Sequence, residues 1–281
     1  MRGLNNLGNT CYFNACLQCL FHVPSLSNYL IIRGKKYNGN CKFTKEYIQL
    51  LRKFWKTGGV GHCDTTPLIN EFRARYTRFN NSEEHDCQEV LLIILDMLHK
   101  SVEDVKEGVR QIENVEWKTK RASLIKTLFC GQIEKTVIYP GGKSTTVENT
   151  MSIMFHPTSN TNLHELLRGF GKDEVIQGYT DDTKKTHNVA VIQQEFVNQP
   201  KNIIFCFSMY FKKYNIRIPE KLGPYKLVAC CIHRGNRGTG HYVALTKHLE
   251  KWYLKDDEQS VECKPNLNNS FYFCIFRNSD S

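Results

Sequence analysis

Apolar positions in the first third of the chain recur at helical spacing. Between residues 11 and 23, Leu17, Leu20 and Phe21 fall on one face, after a Leu-Gly-Asn-Thr turn signal that predicts a helix start. A second helix is predicted between residues 84 and 100, where the apolar stripe consists of Val90, Leu91, Ile94, Leu95 and Leu98. Each helix is expected to pack its apolar face into a core.

The pattern changes twice further along the chain. Between residues 101 and 126, valines and an isoleucine recur at three- and four-residue steps among charges, which predicts an amphipathic surface helix. From 130 to 200, short apolar runs alternate with Gly, Pro, Asn and Thr clusters, a pattern typical of strands joined by exposed turns. The remaining segments are strand-like: NIIFCFSMYF, YKLVACCIH, HYVALTK, KWYLK and FYFCIF.

Composition narrows the class of protein. A chain of 281 residues that is 41% hydrophobic can bury one large core or two small ones. It has no apolar run of about 18 residues and no signal-peptide core, so we expect a soluble protein of the cytoplasm or nucleus without a membrane partner. The net charge of +10 raises the possibility of nucleic-acid binding. Because the basic residues are mixed with acids and form no recognisable nucleic-acid module, a solvated basic surface is the better interpretation.

One of the twelve cysteines lies where a nucleophile would be activated. Cys11 begins the first predicted helix, and the partial positive charge at a helix start favours the thiolate. A buried structural role is the ordinary alternative for any single cysteine. Cys16 and Cys19 form a Cys-x-x-Cys pair, but they lie inside the helical pattern and no second pair completes a zinc site.

A thiol nucleophile needs a base and a group that orients the base. His241 opens a predicted strand after a glycine-rich turn, and Asp256 and Asp257 end the next strand. Two neighbouring antiparallel strands would place one of these acids beside the imidazole. Ten histidines and many acids also permit chance combinations, so the spacing alone leaves this arrangement open.

Two long segments resemble the signature boxes of one enzyme family. The segment GLNNLGNTCYFNACLQCLFHVPSL resembles the cysteine box of the ubiquitin-specific proteases, and YKLVACCIHRGNRGTGHYVAL resembles their histidine box. Further segments, EHDCQEVLLIILDMLH, LFCGQIEKTV and QPKNIIFCFSMYFKK, are similar to other parts of these enzymes. The resemblance implies an α+β, papain-like cysteine protease fold in a single catalytic domain over 1–281. Its expected parts are a helical thumb (about 1–127), reduced β fingers (about 128–205) and a β-rich palm (about 206–281).

The resemblance also implies a role for particular residues. Matched position by position, the nucleophile is Cys11, the base is His241 and the orienting acid is Asp256, with Asp257 as the second candidate. Asn6 matches the amide that stabilises the oxyanion, and such a donor can lower the reaction barrier by roughly 3 kcal/mol. The alternative role of Asn6 is that of a turn residue.

Two further positions match residues that line the substrate channel in relatives. These are Asp86 and Tyr242, each of which has a packing or surface role as the alternative. The substrate implied is ubiquitin or a ubiquitinated protein, cleaved at the C-terminal glycine by a monomeric deubiquitinase. Two alternatives remain: an inactive ubiquitin-binding pseudoprotease, and a protease for another Gly-Gly-ending modifier.

The sequence departs from the family pattern at two places. Many relatives carry two Cys-x-x-Cys pairs that hold zinc, whereas this chain reads VIYPGGKST and GYTDDTKKT at those points, so we expect no metal and no cofactor. The acid box has Lys255 where an aromatic residue is usual.

Overall fold

The computed structural model describes residues 1–34, 40–81, 83, 85–102, 123–209, 212–236 and 240–279. The helices of these described residues are α1 (Cys11–Phe21), α2 (Pro24–Arg33), α3 (Lys42–Trp55), α4 (Thr66–Arg75), α5 (Cys87–Val102), α6 (Leu124–Phe129) and α7 (Leu163–Phe170), with a 3-10 turn at Thr77–Phe79. The surface helix predicted between residues 101 and 126 lies for the most part outside the described residues.

The two helices predicted from the apolar pattern are α1 and α5, each with a shifted boundary. Helix α1 ends at Phe21, two residues early, because Pro24 opens α2 and restricts the residue before it. Helix α5 begins at Cys87, since the carboxylate of Asp86 accepts a hydrogen bond from the backbone N–H of Gln88 at 2.7 Å. No single helix of the described residues is long and apolar enough to cross a membrane; α1 and α2 together pass on length and composition, with an 84° bend between them.

Strands occupy both ends and the middle of the chain. They are β1 (Gly3–Leu4), β2 (His62–Cys63), β3 (Gly131–Tyr139), β4 (Gly142–Thr150), β5 (Ile153–Phe155), β6 (Thr161–Asn162), β7 (Glu174–Thr180), β8 (Thr186–Asn198), β9 (Asn202–Phe207), β10 (Ile216–Arg217), β11 (Lys221–Leu222), β12 (Tyr225–Arg234), β13 (His241–His248), β14 (Lys251–Asp256), β15 (Gln259–Cys263), β16 (Asn268–Asn269) and β17 (Phe271–Asn278). The largest sheet has the order β15-β14-β13-β12-β17-β9-β5, with β11 paired to β12. Its strands are antiparallel except that β5 runs parallel to β9.

The large sheet is covered on both faces, and α1 lies against one of them. Every residue of α1 is buried, and the helix packs on β12, β13 and α5. The opposite face packs against Leu163 of α7 and Ile216 of β10. Strands β9 and β12 are therefore nearly continuous runs of buried residues rather than alternating ones, as a sheet covered on both faces requires.

A separate antiparallel sheet occupies most of the range expected for the fingers. Its order is β4-β3-β8-β7, and most of its side chains are exposed or half-buried. Within the same range, residues 153–170 instead add β5 to the large sheet and supply α7. The chain thus leaves the fingers sheet and returns to it.

A hydrogen bond between a histidine and a carboxylate, flanked by aromatic rings, lies at the far end of this sheet. His187 Nε2 lies 2.8 Å from Asp181 Oδ2, and both side chains are less than a tenth exposed. The ring of Tyr139 packs on His187, with ring centroids 4.5 Å apart, and on Tyr179, with centroids 5.3 Å apart. The hydrogen bond from His187 lowers the pKa of Asp181, so the carboxylate stays ionised well below neutral pH. These residues come from or adjoin the two segments that would carry metal-binding pairs in relatives.

We call Tyr139, Tyr179, Asp181 and His187 the fingertip cluster, and we expect this cluster to order β7 and β8 without a metal ion. A strong chelator should leave the thermal unfolding midpoint unchanged, whereas His187→Ala should accelerate amide hydrogen exchange in both strands, because it removes the buried partner of Asp181. The control is Lys184→Ala, an exposed change in the same turn. A chelator-induced drop in the unfolding midpoint would contradict a metal-free fingertip.

Candidate active site

Cys11 is the first residue of α1, and a strained turn leads into it. Gly8 and Asn9 have positive φ values of 86° and 50°. Thr10 makes no side-chain cap to the helix; its hydroxyl oxygen instead accepts from the backbone N–H of Leu7 at 3.0 Å, and the hydroxyl donates to Asn6 Oδ1 at 3.2 Å. The start of α1 therefore has no side-chain cap from Thr10, and the partial positive charge of the helix start lies beside the Cys11 thiol.

His241 opens β13, the strand on which α1 packs, and its imidazole binds an acid from the next strand. Nε2 of His241 lies 2.6 Å from Oδ1 of Asp256, the last residue of β14. Oδ2 of the same carboxylate lies 3.5 Å from Nη1 of Arg234, which is the register partner of His241 on β12. With Nε2 engaged by Asp256, Nδ1 is the ring nitrogen left to exchange a proton with a thiol.

Asp257 has different partners from Asp256, although the two are adjacent. Its Oδ2 lies 3.8 Å from His241 Nε2, beyond hydrogen-bonding distance, and its backbone has a positive φ of 46°. The carboxylate instead accepts hydrogen bonds from the side-chain amides of Asn6 and Asn14, each at 2.7 Å. Burial raises the pKa of Asp257, and the two amide donors oppose that rise.

The side chain of Asn6 is held at both ends. Its Oδ1 accepts from the backbone N–H groups of Gly8, at 2.9 Å, and Thr10, at 3.3 Å. Its Nδ2 donates to Asp257, and its backbone N–H donates to Glu258 Oε1 at 2.6 Å. An amide nitrogen carries two N–H groups, so one remains for a further acceptor, and its direction is fixed in advance.

The two expected channel residues lie in different environments. Asp86 is exposed, and its Oδ1 accepts from the backbone N–H of Gln88 at the start of α5. Tyr242 is buried between the rings of His233, at 4.4 Å between centroids, and Tyr272, at 5.2 Å. Burial raises the pKa of Tyr242, so its hydroxyl stays protonated.

Sequence reasoning missed Asn14 and Glu258, which help to hold Asp257 and Asn6 in place. Asn14 had a recognisable signal: it is a polar residue in the apolar run CYFNACLQCLF, and a buried amide requires partners. Glu258 had none, because its partner lies 252 residues away.

One group in the described residues has the composition of a metal site. Ligand-type atoms of His241, Asp256 and Asp257 lie within 4.8 Å of one another. The direct hydrogen bond between His241 and Asp256, at 2.6 Å, is shorter than the separation of two ligands that share an ion. The geometry fits an acid–base pair better than a metal centre.

Lys255, the departure in the acid box, is almost completely buried next to Asp256. Its Nζ donates to Ser260 Oγ at 2.7 Å and to the carbonyl of Arg2 at 3.2 Å, and it lies 5.4 Å from the ring centroid of Phe54. Burial lowers the pKa of Lys255 to about 7. The ammonium therefore occupies the place of an apolar side chain between the thumb helices and the strand that carries the acid.

Comparison with known proteins identifies the family. The family model for ubiquitin carboxyl-terminal hydrolase matches residues 2–276, and the chain belongs to that family. Ubiquitin carboxyl-terminal hydrolase Usp2 of Drosophila melanogaster is 28% identical, over 91% of this chain and 32% of the relative. Inactive ubiquitin carboxyl-terminal hydrolase 17-like protein 8 of Homo sapiens is 24% identical, over 93% of this chain and 52% of the relative. The chain thus spans about half or less of the length of these curated relatives.

Solved structures share the fold. A chain of the SAGA DUB module Ubp8/Sgf11/Sus1/Sgf73 bound to monoubiquitin superposes with a TM-score of 0.82 at 18% identity, covering 99% of this chain and 69% of that chain. A chain of the yeast SAGA DUBm gives a TM-score of 0.80 at 19% identity, with 99% and 68% covered. The family and the α+β fold class that the sequence predicted are confirmed.

Replacing Lys255 with methionine should stabilise the protein at pH 6, by about 1–3 kcal/mol, because the buried ammonium loses hydration that its few partners do not restore. The folded-state pKa of Lys255, about 7, lies below the ordinary value of 10.5, so the unfolded chain holds more protons between those values. Wild-type stability from this group therefore rises across that window, and the advantage of Lys255→Met should shrink by pH 9.

Urea unfolding at pH 6 and pH 9 measures both effects, with Lys251→Met, an exposed change on the same strand, as the control. His22 faces Lys255, but burial and that lysine lower the pKa of His22 to about 3, so it stays neutral at both pH values. A Lys255→Met variant that is less stable than wild type at pH 6 would mean that the two hydrogen bonds outweigh desolvation.

Proposed function

We propose that the chain is a thiol-dependent deubiquitinase that hydrolyses isopeptide or peptide bonds at the C-terminal glycine of ubiquitin. The observation that carries the proposal is the hydrogen bond between His241 and Asp256 on strands that pack beneath α1, the helix that begins with Cys11. Relatives named ubiquitin carboxyl-terminal hydrolase and a structural neighbour bound to ubiquitin aldehyde support the choice of substrate.

The reaction begins with attack of the Cys11 thiolate on the carbonyl carbon of the terminal glycine. His241 takes the thiol proton at Nδ1 and gives it to the leaving lysine amine, so the C–N bond breaks and a thioester remains. Asp256 fixes the ring and stabilises its charged form through Nε2. His241 then removes a proton from water, which attacks the thioester and releases Cys11.

Asn6 donates to the oxygen that becomes negative during both attacks. Its remaining N–H group is aimed by Asp257, and the oxygen end is tied to the loop before Cys11. A donor held in place before the reaction needs no reorganisation when the charge develops, and such a donor contributes roughly 3 kcal/mol. Asp257 therefore serves the oxyanion rather than the imidazole.

Substrate binding is assigned to Asp86 and Tyr242. Asp86 caps α5 with one carboxylate oxygen, which leaves the other for an arginine in an extended tail. Tyr242 follows His241 directly, and its buried ring supports the surface beside the base by packing on His233 and Tyr272. A tail ending in Gly-Gly suits such a surface because its residues lack side chains that would clash with it.

A ubiquitin-binding protein without turnover is the second candidate. The relative named inactive, at 24% identity, and the buried ammonium of Lys255 beside the acid favour it. It predicts binding of ubiquitin without hydrolysis. Preference for another Gly-Gly-ending modifier, a monomeric state and a cytoplasmic or nuclear location stay predictions.

Ubiquitin with a C-terminal electrophile tests the nucleophile directly. The wild type should form a covalent adduct, and Cys11→Ala should form none, because the thiol is the attacking atom. The adduct is measured by intact mass, with Cys41→Ala as the control because Cys41 is a partly exposed thiol outside both family boxes. Equal labelling of wild type and Cys11→Ala would contradict Cys11 as the nucleophile. Binding of ubiquitin without labelling would favour a ubiquitin-binding protein without turnover.

Two assays should distinguish the role of Asp256 from that of Asp257. Alkylation of Cys11 by iodoacetamide forms no oxyanion, whereas hydrolysis of a fluorogenic ubiquitin amide does. Asp256→Asn should slow both by about 100-fold or more, since it disturbs the imidazole. Asp257→Asn should slow hydrolysis by about 10- to 100-fold and leave alkylation near wild type, because it presents an amide donor where Asn6 or Asn14 needs an acceptor.

Urea unfolding of both variants shows whether each still folds. The reverse pattern, with Asp257→Asn slowing alkylation as much as hydrolysis, would assign Asp257 to the imidazole instead.

A further inference from the structure

The side chain of Lys213, in the loop between β9 and β10, reaches across to the end of β12. Its Nζ donates to Nδ1 of His233, to the carbonyl of Gly235 and, at 3.4 Å, to the carbonyl of His233. Gly235 has a positive φ of 79°, the backbone conformation in which β12 ends. The ring nitrogen and the two carbonyl oxygens are all acceptors that suit an ammonium. We call Lys213, His233 and Gly235 the Lys213 clamp.

The clamp requires a neutral His233. The imidazole is only 5% exposed, and burial, together with the charges of Lys213 and His241, lowers the pKa of His233 to about 4. At neutral pH the ring therefore has one nitrogen that accepts and one that donates. Since Nδ1 accepts from the ammonium, Nε2 carries the proton.

The ring of His233 lies directly against the backbone that leads into the catalytic strand. A Cβ placed on Gly240 would lie 2.1 Å from Cε1 and Nε2 of His233, so only glycine allows this approach. The residue after Gly240 is His241, and His233 is the register partner of Tyr242. Rings of Tyr242 and Tyr272 enclose the remaining sides of His233.

We propose that Lys213 is a positioning residue for the base His241. Lys213 holds His233 against Gly240 and thereby fixes the backbone that presents His241 to Cys11. The inference rests on the proposed function. Lys213 touches neither the thiol nor the carboxylate in the contacts described, so it acts through His233. A misplacement of about 1 Å in a catalytic group costs up to about 100-fold in rate, so a contact of this kind has a measurable effect.

Lys213→Met tests the clamp against Lys212→Met, which removes the same charge from an exposed neighbour in the same loop. Lys213→Met should lower kcat for a fluorogenic ubiquitin amide by about tenfold with KM changed by less than about twofold, since the base moves while the tail still binds. It should also slow alkylation of Cys11 by iodoacetamide, followed by mass spectrometry of the Cys11 peptide, by a similar factor. Lys212→Met should match wild type in both.

Two further variants distinguish positioning from a general loss of structure. Lys213→Arg keeps the charge and the donors and should recover part of the lost kcat. His233→Phe keeps the ring but removes the acceptor, so adding Lys213→Met to it should cost little more, because both changes break one contact.

The outcomes that overturn the clamp differ from those that overturn the function. A rise in KM with normal alkylation would make Lys213 a substrate contact, and additive effects with His233→Phe would make the two residues independent. Either result rejects the inference. The alkylation arm needs no ubiquitin, so it still tests the clamp if the wild type fails to react with the ubiquitin electrophile and the proposed function falls.

Discussion

Hydrogen bonds to Asp257 join the beginning of the chain to its last strands, and the candidate active site depends on that join. Its carboxylate binds the amides of Asn6 and Asn14, and its carbonyl accepts from Leu4 N at 2.8 Å. The contact is close: a Cβ on Gly3 would lie 2.0 Å from the carbonyl oxygen of Glu258. One buried acid, stabilised by amides rather than by a cation, thus sets the position of the loop before Cys11 relative to the strand that ends in Asp256.

The connection through Asp257 explains why two adjacent acids have different hydrogen-bond partners. Asp256 ends β14 in extended geometry and lies beside His241, whereas Asp257 has positive φ and turns toward the N-terminal segment. Reversal of the chain direction at this hairpin is what separates the two carboxylates. The large sheet holds the imidazole side of the site, and α1 with its preceding loop holds the thiol and amide side.

Much of the site was predictable from the sequence, because local patterns carry it. The helical spacing placed α1, and the two family boxes selected Cys11 and His241 from twelve cysteines and ten histidines. Spacing did not separate Asp256 from Asp257, since that choice depends on a backbone angle and on partners more than 240 residues away. Helix ends were missed by two or three residues where a proline or a capping carboxylate decided the boundary.

Only the structure shows which contacts the residues that depart from the family pattern make. Where relatives carry cysteine pairs, the structure has a buried hydrogen bond between His187 and Asp181 beside tyrosine rings. The ammonium of Lys255 is buried near the ring of Phe54. Periodicity reports whether a side chain faces inward, not which polar partner it finds there. A single sequence therefore revealed that these positions were unusual and left their contacts unknown.

The distance along the chain between Cys11 and its partners has a consequence for synthesis. A ribosome adds residues 22–240 after Phe21, the end of α1, before it reaches His241, the start of β13, and β13 and β14 pack on α1. During that interval the eleven residues of α1 lack their main packing surface, and the strand that carries His241 is absent. Exposed apolar surface of this kind favours aggregation until the sheet forms, and Cys11 and His241 can come together only after β13 has been made.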